Sequence, residues 1–118
     1  MQNGFLRSAY LGTEISEKWW RRYKKRGFFM RGNGEISLNE NGLSFRRALT
    51  QKPFLIPYNK MTGLSFGKWH SGRWLFGAPI LKIKWINDGE DLCSGFYFKI
   101  TEQELQEFVR DLQNKMSA

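Results

Sequence analysis

The chain reads as a mainly β domain: seven antiparallel strands forming a barrel or sandwich, capped by a C-terminal α-helix and preceded by an additional N-terminal helix. Three observations carry this reading. Between Gly27 and Phe66, short runs of alternating apolar residues are separated by Gly, Asn and Pro turns, the pattern of a meander. From Pro79 to Met116 the order is strand, tight turn, strand, capped helix. The length of 118 residues suits one domain with a core that needs no staples. Aromatic residues make up 16%, and such large rings suit either a β-rich interior or an adhesive surface.

Taken in order, Met1 to Thr13 has no clear periodicity and reads as a loosely held arm. Glu14 to Arg26 reads as a helix: Ile15, Trp19 and Tyr23 recur at i, i+4 and i+8, with Thr13 or Ser16 to cap the start and Gly27 to end it. Phe28-Phe29-Met30 is a first short strand before the turn Arg31-Gly32-Asn33-Gly34. Ile36 and Leu38 alternate in the next, Asn41-Gly42 turns the chain, and Leu43 and Phe45 alternate in the third. Gln51-Lys52-Pro53 interrupts the pattern. Phe54, Ile56 and Tyr58 share a face of a fourth strand, with Pro57 marking an edge or bulge, and Thr62, Leu64 and Phe66 share a face of a fifth.

The last third is the clearest part. Leu81, Ile83 and Trp85 alternate with Lys82 and Lys84, which with Arg46 and Arg47 make a basic stripe or simply guard an exposed strand. Asn87-Asp88-Gly89 is a hairpin turn. Leu92, Ser94, Phe96, Phe98 and Ile100 then lie on one face, with Cys93 and Tyr97 on the other, where the N-terminal helix can cover them. Thr101 and Glu104 fit a capping box, and Ile100 with Leu105 a hydrophobic staple. Leu105, Phe108, Val109, Leu112 and Met116 form one apolar stripe that should pack on the sheet.

The net charge is +8, distributed as +12 over residues 1–86 and −4 over residues 87–118. The basic part can attract anionic lipid, nucleic acid or an acidic partner, or serve solubility and packing between the two halves. One cysteine, Cys93, rules out a disulfide framework and a cysteine metal cluster and favours a reducing compartment. The N-terminal dozen residues lack a secretory pattern, and no apolar run is long enough to span a bilayer. The expectation is a cytoplasmic protein, peripheral to the inner face of the membrane if it meets one. His70 stands without a neighbouring Cys, Asp or Glu in sequence, so neither a metal site nor a triad is legible, and no phosphate-binding glycine loop opens a helix. The expectation is therefore a protein that is not an enzyme and carries no cofactor.

Two groups of residues are candidates for contact. The stretch 67–77 holds Lys68, Trp69, His70, Arg73, Trp74 and Phe76 between three glycines, a composition typical of binding hot spots. It also suits rings that fold over the end of the barrel. Arg21, Arg22, Lys24, Lys25 and Arg26 line the polar side of the N-terminal helix, where they either meet an anionic surface or stay solvated while Trp19 and Tyr23 pin the helix to the sheet.

The Gly34–Phe45 hairpin, the pair formed by Ile56-Pro57-Tyr58 and Leu64-Ser65-Phe66, the Leu81–Ile100 hairpin and the Leu105–Leu112 helix together resemble a pleckstrin-homology-like (PH-like) domain over residues 27–116. Residues 1–26 then form an arm and a basic amphipathic helix outside it. The phrasing Gly34-Glu35-Ile36, Gly42-Leu43-Ser44-Phe45 and Ile56-Pro57-Tyr58 is similar to small bacterial PH-like and GRAM-like domains. The resemblance implies a seven-stranded sheet plugged by the C-terminal helix, and a binding module for a protein partner or an anionic lipid surface, or a homo-oligomer. Two departures stand against inositol-phosphate binding: the connection Arg31–Gly34 is short, and the final helix has Phe108 where eukaryotic members have tryptophan. Single-stranded nucleic-acid binding through rings and cations is the alternative.

Overall fold

The computed structural model describes residues 5–25, 28, 31–48 and 52–117. Ten strands are present among them: β1 (Leu6–Ile15), β2 (Lys18–Arg22), β3 (Gly32–Leu38), β4 (Gly42–Arg47), β5 (Phe54–Pro57), β6 (Met61–Gly67), β7 (Trp69–His70), β8 (Arg73–Trp74), β9 (Ile80–Asn87) and β10 (Glu90–Phe98). A 3-10 turn spans Tyr58–Lys60, and the helix α1 (Glu102–Ser117) follows β10. The large sheet is antiparallel in the order β5-β4-β3-β1-β10-β9-β6, with β2 pairing on β1; β7 and β8 form a separate two-stranded hairpin. The sheet is not a closed barrel, and the strand count exceeds the seven expected.

The N-terminal helix expected over Glu14–Arg26 is absent. Leu6–Ile15 is instead a central strand between β3 and β10, and the segment read as a loose arm lies largely within it. The misleading spacing has a local cause. Ser16 and Glu17 adopt left-handed backbone (φ 55° and 56°) in a two-residue turn, so Ile15 and Trp19 lie on different strands rather than one helix face. The strand itself is disguised by a bulge between Tyr10 and Gly12, which turns Tyr10 and Thr13 to the same side although they are three residues apart. The strand read at Phe28-Phe29-Met30 is not formed at Phe28, while Arg26, Gly27, Phe29 and Met30 lie outside the described residues, as does Gln51. On β6 a bulge between Met61 and Gly63 puts Met61 rather than Thr62 on the core side with Leu64, while Phe66, further along the face of Leu64, is exposed.

The sheet curls around its aromatic core. Phe28 packs on Phe54 of the edge strand β5 (4.2 Å between ring centroids) and on Trp85 of β9 (5.2 Å), which lie far apart along the sheet order. Tyr10 meets both Phe54 and Phe96. A buried polar chain runs through this core, and its two ends fix its direction. The Trp85 indole N–H donates to Ser94 Oγ (3.0 Å), Ser94 to Thr13 Oγ1 (2.6 Å), Thr13 to the Tyr10 oxygen (2.5 Å), and Tyr10 to the Phe28 carbonyl (2.7 Å). An indole can only donate and a carbonyl can only accept, so every hydroxyl between them is satisfied.

The β9–β10 turn and the cap and apolar stripe of α1 form as expected. Asp88 and Gly89 turn the β9–β10 hairpin with φ of 52° and 79°. Thr101 and Glu104 exchange the two bonds of a capping box: the Thr101 amide donates to Glu104 Oε1 (2.9 Å) and the Glu104 amide to Thr101 Oγ1 (3.1 Å). Phe108 and Leu112 are buried, and Phe108 packs on Phe98 at 4.9 Å.

Candidate functional site

The stretch 67–77 divides by the period of two that a strand imposes. His70 faces the sheet, whereas Trp69 and its cross-strand partner Trp74 face solvent, 61% and 49% exposed. Phe76 packs on Trp74 (5.4 Å) and is 89% exposed. Lys68 and Arg73 are exposed beside them. Five of the six residues proposed for this site are therefore available to a partner, and His70 is not.

The second candidate group comes to the same place, on a strand instead of a helix. The strand β2 stands on β1 as an outer flap, so the adjacent Trp19 and Trp20 are both exposed, with rings 5.7 Å apart. Trp19 lies against the hairpin turn: a Cβ on Gly72 would sit 3.6 Å from its ring. Arg21, Lys24 and Lys25 are exposed and Arg22 is half-buried; Arg26 lies outside the described residues. Residues 18–25 and 68–76 together hold seven Lys and Arg and no Asp or Glu. The one carboxylate at their border, Glu17, is engaged by Lys84 at 3.4 Å. Lys18, Trp19 and Trp20 are exposed beside the predicted cations, and the adjacency of two tryptophans in a basic run is their signal in the sequence.

The hairpin is held at its turn. The Arg31 guanidinium donates to the Ser71 carbonyl (2.7 Å), and the Ser71 amide donates to the Glu14 carboxylate (2.7 Å). Burial, and then the neighbouring Arg22 and Arg73 guanidiniums, lower the pKa of Arg31. The basic stripe read from Lys82, Lys84, Arg46 and Arg47 does not form, because β4 and β9 are separated by β3, β1 and β10; Arg46 pairs with Glu35 at 3.5 Å.

Beneath the hairpin the fold brings Glu14 and Cys93 to His70, neighbours that the linear sequence does not reveal. All three are buried. Gly12 and Gly95 are partners across β1 and β10 and leave a bay in the sheet, where the imidazole lies so close that a Cβ on Gly95 would be 2.4 Å from its Cδ2. This hairpin, not a helix, covers the Cys93 side of β10. His70 Nε2 faces the Gly12 carbonyl at 2.8 Å; since a carbonyl only accepts, Nε2 carries the proton. Nδ1 has no hydrogen-bond partner and faces Glu14 Oε2 at 3.8 Å. Burial lowers the pKa of His70, opposed by Glu14, so the ring is neutral. Burial, and then Glu14, push the Cys93 thiol up to about 12, which makes it a poor nucleophile.

A curled antiparallel sheet, plugged by a capped C-terminal helix and carrying an exposed patch of rings and cations, defines a PH-like domain of the general binding-module kind. The chain matches the bacterial PH domain-like family over residues 2–113 and belongs to that family. The match includes β1 and β2, so the family extends N-terminally beyond the expected bounds of 27–116. No curated protein matches the chain. Among the described residues no helix is long and apolar enough to cross a membrane.

Proposed function

We propose that the chain is a non-enzymatic PH-like module that docks peripherally on an anionic membrane surface, at the inner face of the membrane. The observation that carries this reading is the meeting of β2 with the β7–β8 hairpin at Gly72 and Trp19, which joins five exposed rings to a set of cations without a carboxylate. Tryptophan is favoured at the membrane–water interface, where an apolar ring and a polar N–H are both satisfied. Each Lys or Arg near an anionic leaflet adds about 1 kcal/mol. In the sheet the strand beside β3 on the N-terminal side is β1, and the sequence between them carries Lys18, Arg21, Arg22, Lys24 and Lys25, so the short connection Arg31–Gly34 is not the one that joins the first strands of the large sheet. That removes one of the two sequence objections to an anionic lipid ligand.

The test is sedimentation with phosphatidylcholine vesicles, with and without phosphatidylglycerol. Binding should require the anionic lipid. It should weaken at least about tenfold in Arg21→Glu/Lys68→Glu, on the charge contribution above, and be lost in Trp69→Ala/Trp74→Ala. Equal pelleting of wild type and variants, or none with either vesicle, would overturn the reading. Tight binding to a single-stranded oligonucleotide without vesicle binding would favour the nucleic-acid alternative, and capture of a protein partner through the tryptophans would favour that one.

A further inference from the structure

We propose that Glu14, His70 and Cys93 form a binding site for one divalent transition-metal ion of the zinc class, enclosed between β1, β10 and the β7–β8 hairpin. The inference is independent of the membrane reading. One ligand atom from each of the three residues lies within 4.8 Å of the others, and all three residues are buried. Tetrahedral zinc, with N and O ligands at about 2.0–2.2 Å and S at about 2.3 Å, holds its ligand atoms roughly 3.3–3.8 Å apart. The Glu14 Oε2 to His70 Nδ1 distance is 3.8 Å, too long for a hydrogen bond and suited to two ligands of one ion. Closing the remaining gap takes a side-chain adjustment of about 1 Å.

The orientation of His70 supports this independently. Its Nε2–H is held by the Gly12 carbonyl, the kind of outer-shell bond that directs a metal-ligating imidazole, and this leaves the Nδ1 lone pair bare. A bare lone pair that faces a carboxylate in a buried space sets two acceptors against one another, an arrangement a cation resolves. The ring is seated against Gly95, where a Cβ would lie 2.4 Å from its Cδ2. The charge also closes: the Glu14 carboxylate and the Cys93 thiolate cancel the two positive charges, His70 remains neutral, and the thiol proton leaves to solvent as the ion enters. Sulfur and imidazole donors select zinc-class ions over magnesium or calcium.

The full chain, stripped with a chelator, is titrated with Zn²⁺ and separately with Co²⁺. One equivalent should bind and raise the melting temperature by several degrees. The cobalt form should display thiolate-to-metal charge-transfer absorption. Cys93→Ser, a near-isosteric change chosen to preserve the fold as read by circular dichroism, should lose that absorption and weaken zinc binding by at least about 100-fold. Glu14→Gln should weaken it as well. A wild-type protein that neither binds nor is stabilised by either ion overturns the proposal. So does a Cys93→Ser protein that keeps the wild-type zinc affinity.

Discussion

His70 is seated by what its neighbours lack. A methyl group on Gly95 would stand 2.4 Å from the imidazole Cδ2, so Gly95→Ala forces either the ring or the strand to move. The expected cost is about 1–3 kcal/mol, the usual range for overpacking a close-fitted site. His70→Ala empties the same space, so Gly95→Ala should cost markedly less on that background. Urea denaturation of the four proteins of this cycle measures the coupling, and strict additivity would mean that the two residues do not share the bay. A second residue-scale prediction concerns alkaline pH. Tyr58 donates to the Asn39 carbonyl (2.6 Å), and burial raises its pKa from 10.0 to about 12. The folded state therefore keeps a proton that the unfolded state releases. The stabilisation is complete below pH 10 and is lost as pH rises from 10 towards 12. Stability measured across that window should fall less steeply in Tyr58→Phe. Of the two sites, the sequence disclosed the chemistry of the residues but not their company. Trp69, Arg73, Trp74 and Phe76 stand out in any reading of 67–77, whereas Glu14 and Cys93 meet His70 only through a β1–β10 register that no local pattern encodes.

The elements most legible in the sequence are those whose stabilising contacts are local. The β9–β10 turn, the capping box and the stripe of α1 are each specified within a few residues, and each forms as expected. Thr101→Ala should cost about 1 kcal/mol through the loss of the cap. Leu112→Ala, at a fully buried position, should cost about 2–5 kcal/mol. Thermal or urea denaturation of the two variants should rank them in that order; a larger loss from Thr101→Ala would mean that α1 is held by its cap and not by its packing. The strand β1 is hard to read because a bulge shifts its inward face by a residue and breaks the alternation on which strand recognition depends; the bulge in β6 misplaces Thr62 alone, and that strand forms where expected. The segment 14–23 looks helical in sequence for a different reason. A two-residue turn at Ser16 and Glu17, without the customary Asn-Gly, left the spacing of Ile15, Trp19 and Tyr23 looking helical.

At the scale of the molecule, charge is sorted by face. Along β10, Phe98 turns inward to meet Phe108 of α1, while Gly95 turns outward beneath His70 of the hairpin. The helix, with Glu102, Glu104, Glu107 and Asp111, thus lies on the opposite side of the sheet from the basic patch. An anionic surface would attract one side and repel the other, which orients the protein as well as holding it. Vesicle binding should therefore fall steeply with salt, as the screening length shrinks from about 10 Å at 0.1 M to about 3 Å at 1 M. The protein that remains bound should still have blue-shifted tryptophan emission from its inserted indoles. Binding that does not respond to salt would assign the attachment to the rings alone.

The bay at Gly12 and Gly95 also makes a claim about descent. A ring that fits only where a facing side chain is missing ties two distant positions into one inherited choice. Across related chains, any residue bulkier than glycine at position 95 should arrive together with the loss of histidine at position 70.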